Sequence, residues 1–267
     1  MLEILFESPR EAETMVSIFR SKSKGNDSEI RLLYSNGVQI CQKKWSNVIE
    51  QAVIPSLVHY ILEYKEHQIM LSIIRENYYF IEHEEQQQIL HIAQSIIEGE
   101  RKEIPRVNQF QPREEFILEA LRQFLTPPLS FTFQSFLQFR LQHYVKRLRE
   151  YVEVAIEEYK LEQEYQTFIQ SLRDYITDRE SKIDTLTIHH QERFILYDEQ
   201  LNEISELDIK NYIDRTFIYK HPMYIDSNLL APIVSIAPKM IHLYSNDPDH
   251  GMIQTIQNIF QERVKIY

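Results

Sequence analysis

Glycine is scarce in this chain: Gly25, Gly37, Gly99 and Gly251 are the only four in 267 residues. Bare backbone is what cradles a phosphate or lets a ligand approach the main chain closely, so most nucleotide-binding loops are excluded. The sequence has no Walker-type loop, no dinucleotide-binding glycine fingerprint, no nucleophile elbow and no HExxH zinc signature. The Glu-x-x-His pairs that di-iron bundles use are missing too. The balance falls against an enzyme.

Cysteine is nearly absent as well. Cys41 stands alone, which rules out an intrachain disulfide and a cysteine-based zinc site. Basic charge is in deficit: 29 Lys and Arg against 40 Asp and Glu give a net charge of −11. The molecule as a whole is therefore a poor polyanion binder, which leaves room only for a local basic patch. The opening Met1–Glu13 is acidic where a secretory signal needs a basic and then an apolar run. The longest apolar stretch, Leu229–Pro238, is about half of the ~20 residues a membrane span requires. These readings predict a cytoplasmic protein without a membrane span.

What is present is a stretch from Leu129 to His221 with neither glycine nor proline, able to carry a very long helix. Before it, Leu2–Glu7 reads as a strand, and Ser8-Pro9 as the cap and first turn of a helix ending at Gly25-Asn26. Ile30–Tyr34 and Val38–Cys41, joined through Ser35-Asn36-Gly37, predict a hairpin. Helices are predicted over Asn47–Asn77, with Pro55 as a kink or boundary, and over Glu84–Glu98 and Arg113–Leu125. The segment 104–112 reads as extended. The middle region is acidic, with 7 basic against 13 acidic residues between Ser46 and Pro128.

Within the breaker-free stretch, Leu137, Leu141, Tyr144, Leu148, Tyr151, Val152, Ala155 and Tyr159 share one helical face. Leu161, Tyr165, Phe168, Ile169, Leu172 and Ile176 share another, rotated by roughly 120°. One long helix whose halves belong to different packing layers accounts for the jump near Lys160. After Ser181 the period becomes two: Thr185–His189 and Phe194–Tyr197 form a second predicted hairpin. A helix over Glu206–Asp214 follows, then one over Leu229–Ala237 capped by Ser227-Asn228. A strand Lys239–Tyr244, a helix Asp249–Gln261 and a strand Val264–Tyr267 complete the chain. The expected fold is α+β and predominantly helical, with a long central helix. It divides into an N-terminal β-α-β-β unit (1–45), a helical region (46–182) and a C-terminal α/β unit (183–267), with one sheet that the two ends could share.

Few constellations suggest chemistry. His59, Glu63 and His67 fall at i, i+4 and i+8, and His83 and His91 are also eight apart. Ligands two turns apart are separated by ~12 Å of rise, too far for one ion, so exposed helix positions explain them better. His189-His190 at a hairpin end could place one imidazole near Asp184 or Asp198, yet alternation sends the two rings to opposite faces. Asp247 or Asp249 is explained as a helix N-cap. Arg140, His143, Lys146, Arg147 and Arg149 form a basic segment followed at once by Glu150, Glu153 and Glu157. A solvated helix face is the plain account of that segment, and a protein-partner surface is its best functional version. Phe131, Phe133, Phe136 and Phe139 are too dense for one face, so at least one points to a second layer or a partner.

The landmarks Phe136-x-x-Phe139-Arg140-Leu141-x-x-Tyr144, Glu164-Tyr165-x-x-Phe168-Ile169, Ala237-Pro238-Lys239-x-Ile241 and Ile259-Phe260-x-x-Arg263-Val264 resemble the YtxC-like family of sporulation-associated proteins of endospore-forming Firmicutes. The resemblance covers nearly the whole chain and is strongest from Phe131 onward. It implies a cytosolic protein of a spore-former and no activity or catalytic residue. Sporulation here is an association that no residue derives. The reading is a non-enzymatic interaction or regulatory module that binds another protein through Phe136, Phe139, Arg140, Tyr144, Lys146, Arg147 and Arg149. No catalytic, cofactor-binding or metal residue is named, and no cofactor is implied. A nucleic-acid-binding regulator using the basic face 140–149 is one alternative, disfavoured by net charge. An enzyme or ligand-binding domain near His189, His190 or Asp249 is the other.

Overall fold

The computed structural model describes residues 1–23, 29–34, 36–42, 45–101, 104, 112–214 and 229–267. The expected helix stop at Gly25-Asn26, most of the extended segment 104–112 and the Ser227-Asn228 cap lie outside the described residues. The described residues divide into two units, Met1–Tyr159 and Lys160–Tyr267.

In the first unit, β1 (Leu2–Leu5) leads into α1 (Pro9–Lys22). Ser8 caps α1 by accepting a hydrogen bond from the Glu11 amide at 3.3 Å, and Pro9 opens the first turn where its missing donor costs nothing. β2 (Glu29–Leu33) and β3 (Gly37–Cys41) form the predicted hairpin, paired from Glu29↔Cys41 to Leu33↔Gly37. A fourth strand, β4 (Leu129–Thr132), pairs parallel to β1 and gives the order β2-β3-β1-β4. The breaker-free pattern around these four residues predicts helix instead. The Leu-Ser-Phe-Thr alternation is too short to outweigh its helical surroundings, and only the distant β1 makes it a strand.

The helical stretch Trp45–Tyr78 passes through Pro55 by changing gauge. α2 (Trp45–Val48), a π turn (Ile49–Val53), α3 (Ile54–Tyr60), a second π turn (Ile61–Lys65) and α4 (Glu66–Tyr78) follow one another without a loop. The first π turn lies just before the proline, where a regular helix would press the ring on a carbonyl and lack a donor. Tyr79 closes α4 in the left-handed conformation (φ 59°). α5 (His83–Ile97) ends before Gly99, whose φ of 77° suits glycine. α6 (Arg113–Phe124) precedes β4.

After β4, Thr132 caps α7 (Phe133–Arg140), and α8 (Gln142–Thr177) runs for 36 residues. The break between these helices falls at Leu141; α8 continues unbroken through 160–163. Its halves serve separate cores. Tyr144, Leu148, Val152, Ala155 and Tyr159 join the core of the first unit, whereas Phe168, Ile169, Leu172 and Ile176 join that of the second. Lys160–Glu164 between them are all exposed. Each fully buried Leu, Ile or Phe stabilises by about 1.5–3 kcal/mol, which explains why the apolar stripe turns where the core changes.

In the second unit β5 (Thr185–His190) and β6 (Phe194–Tyr197) form the second hairpin. α9 (Glu206–Tyr212) follows, and α10 (Leu230–Ile236) ends at Ala237 in the left-handed conformation. β7 (Met240–Ser245), α11 (Gly251–Phe260) and β8 (Val264–Ile266) complete a sheet of order β6-β5-β7-β8. Among the described residues no sheet is shared between the ends of the chain: β1 to β4 make one and β5 to β8 another. Among the described residues no helix is long and apolar enough to cross a membrane.

Candidate functional site

The predicted partner surface divides once its side chains are placed. Phe136 and Tyr144 are buried in the core and offer no surface. Phe124 of α6 and Phe131 of β4 pack on Phe136, and the Tyr144 hydroxyl is taken up by Glu66 of α4. Arg147 is held down: it pairs with Glu150 at 2.7 Å, and its guanidinium lies 5.5 Å over the Phe116 ring. Phe139 is 63% exposed. Arg140 beside it is exposed and reaches over Phe124 at 5.3 Å, and Lys146 and Arg149 are exposed one and two turns along α8. Among the described residues Arg140, Lys146 and Arg149 have no ion-pair partner within 4.0 Å.

Two grooves flank this surface. On one side Phe116, Glu119, Ala120 and Gln123 of α6 face Arg140 and His143 across a cavity of about 300 Å³. On the other, α4 faces α7 and the start of α8 across about 420 Å³. Ile69, Ile73, Leu137 and Val145 form its apolar floor, and Glu7, Lys65 and Arg149 contribute charge. The α4 wall is absent from the predicted surface, although Gln68-Ile69, Ser72-Ile73 and Asn77 recur at helical spacing and could have signalled a second face.

Lys65 of this groove belongs to a buried polar network. The second π turn delivers two consecutive ionic residues inward: Lys65 pairs with Glu11, and Glu66 accepts from Arg113 at 2.7 Å and from the Tyr144 hydroxyl at 2.8 Å. Burial, and then the Glu66 charge, raise the Tyr144 phenol far above its ordinary range. This network fastens α1, α4, α6 and α8 and thereby fixes the walls of the groove.

Of the histidine candidates, His190 meets a second histidine, its ring centroid lying 4.7 Å from that of His250. A π turn interrupts the His59–Glu63–His67 line, so its regular helical spacing does not hold. Among the described residues no three His, Cys, Asp or Glu side chains are grouped to hold a metal ion. As alternation requires, His189 and His190 separate. His189 is exposed between Tyr197 and Tyr244, whereas His190 is buried, 2.9 Å from Ser245 Oγ and stacked on Phe194. His250, rather than Asp247 or Asp249, caps α11, with Nδ1 accepting from the Met252 amide at 3.3 Å. A third cavity, about 560 Å³, is lined by Arg179, Lys239 and Arg263 and not by these histidines.

The molecule is thus a predominantly helical α+β protein with two four-stranded mixed sheets, each with its own core. A family model described as the YtxC-like family matches residues 51–265, and the chain belongs to that family. The Uncharacterized protein YtxC of Bacillus subtilis (strain 168) is 42% identical over 271 residues, covering 100% of this chain and 94% of that protein. No solved structure matches. Of the residues that carry the resemblance, Phe136, Leu141, Tyr144, Phe168, Ile169, Ala237, Ile241, Ile259 and Phe260 are buried, whereas Phe139, Arg140, Glu164 and Lys239 are exposed.

Proposed function

We propose that this protein is a cytoplasmic, non-enzymatic interaction module associated with sporulation, which binds an acidic protein partner through Phe139, Arg140 and Lys146. The observation that carries the reading is an exposed Phe139 next to Arg140, with no carboxylate within 4.0 Å of Arg140 or Lys146 among the described residues. A large apolar side chain beside Arg is the composition of an interface anchor, and unneutralised cations favour a partner of opposite sign. The sporulation association rests on the family resemblance alone. A nucleic-acid ligand would use the same cations, but its line of phosphates would run on past them to Glu150, Glu153 and Glu157, which a local acidic patch of a protein need not reach.

The test is affinity capture from sporulating cells with the intact chain and with a Phe139→Ser/Arg140→Glu/Lys146→Glu variant of unchanged circular dichroism. The expected result is a salt-sensitive partner recovered by the intact chain and lost in the variant. Equal recovery by both would overturn the reading. Salt-sensitive binding of labelled DNA or RNA, lost in the variant, would replace it with the nucleic-acid alternative.

A further inference from the structure

We infer that the groove between α4 and the α7–α8 segment binds an extended peptide segment of a partner protein, with a basic group at one end and an acidic group at the other. This rests on the interaction reading above and adds a separate contact, on the other flank of the same surface.

The dimensions favour a short extended chain. The α4 wall runs from Gln68 to Asn77, nine steps of helix or about 14 Å, which spans about four residues of extended chain. Alternate side chains of an extended segment point the same way, so two apolar residues can rest on Ile69, Ile73, Leu137 and Val145.

The rim suits peptide backbone. Asn77, Gln134 and Gln138 line the groove, and among the described residues their side-chain amides make no hydrogen bond. Each amide both donates and accepts, as a peptide unit requires of its partner. An extended backbone carries unpaired N–H and C=O groups that must find partners when it is buried.

The ends differ in sign. Glu7 lies at one end together with Lys65, whose charge is already matched by Glu11, so Glu7 is the unmatched charge there. Arg149 lies at the other end, one turn before Glu153, which accepts a hydrogen bond from Tyr78 at 2.7 Å. Neither Glu7 nor Arg149 has an ion-pair partner among the described residues. The groove is therefore complementary to a segment whose cation faces Glu7 and whose anion faces Arg149.

The experiment titrates the full ¹⁵N-labelled chain with acetyl-Lys-Leu-Ser-Val-Glu-amide and with acetyl-Lys-Leu-Ser-Val-Lys-amide. The first peptide should shift the side-chain amide signals of Asn77, Gln134 and Gln138 saturably. Arg149→Glu should weaken that peptide about tenfold and strengthen the second by a similar factor. Gln138→Leu, at an exposed position, should weaken both without altering the fold. Absence of shifts at the three amides, or shifts that Arg149→Glu leaves unchanged, would overturn the inference. If partner capture requires Phe139 and Lys146 while the peptide shifts are absent, the groove alone is refuted. If the shifts appear while capture ignores those residues, the earlier reading is refuted and the groove stands.

Discussion

Tyr144 on α8 donates its hydroxyl proton to Oε2 of Glu66 on α4 at 2.8 Å, joining residues 78 apart in the chain. Arg113 Nε donates to the same oxygen at 2.7 Å, so one buried carboxylate holds two other helices. Tyr144→Phe removes one hydrogen bond to a charged acceptor and should cost about 1.5–3 kcal/mol. Glu66→Ala strands both donors and should cost about 3–5 kcal/mol. Urea unfolding checks the order of the two; a smaller loss for Glu66→Ala would contradict the network.

Gly37 closes the first hairpin beside Leu33. An added Cβ there would lie 2.8 Å from the Leu33 carbonyl oxygen and 3.2 Å from Leu5 Cδ2. Main chain cannot yield as a flexible side-chain end can, so Gly37→Ala should destabilise the first unit by about 1–3 kcal/mol. A melting temperature at or above that of the intact chain would refute this.

Leu172 is wholly buried in the second core. Truncation to Ala should cost about 2–5 kcal/mol. Because the cores are separate, hydrogen exchange should accelerate in β5 and β7 while amides of β1 and β3 keep their protection. Uniform acceleration would mean that the cores unfold as one.

Alkaline pH should weaken the fold. Burial, and then the bond to Glu153, push the Tyr78 phenol up to about 12; burial, and then the bond to Asp214, do the same for Tyr175. Both values lie above the ordinary tyrosine value of about 10. A raised folded-state value gives stability that is complete below pH about 10 and is lost as pH rises through about 12. The urea midpoint should fall over that range, and Tyr78→Phe should reduce the fall. A midpoint that stays level would show that these phenols titrate alike in both states.

Much of the fold was legible because its signals are local. Ser8-Pro9, the turn before Gly37, and Gly99 mark ends that short-range hydrogen bonding and φ limits enforce. The turn of the apolar stripe after Tyr159 marks the change of core in the residue pattern itself, because each half of α8 must be apolar toward its own core. The candidate site was only partly legible. Helical spacing groups Phe136, Phe139 and Tyr144 with the cations but cannot say which side another element covers. Phe139 and Lys146 proved exposed, whereas Phe136 is packed under Phe124 and Phe131, and Tyr144 is bonded to Glu66 from far along the chain.

The sequence by itself determined most of the element types, the two hairpins and the predominance of helix, since periodicity and turn chemistry act within a few residues. It also carried the residues on which the family resemblance rests. Tertiary structure alone decided that Leu129–Thr132 is a strand, because β1 supplies its hydrogen-bond partners across more than a hundred residues. It alone decided that the two ends build separate sheets, and that Glu66 is buried with Arg113 and Tyr144. Those outcomes depend on long-range pairing and on which charges share a desolvated space, and neither is written in local sequence.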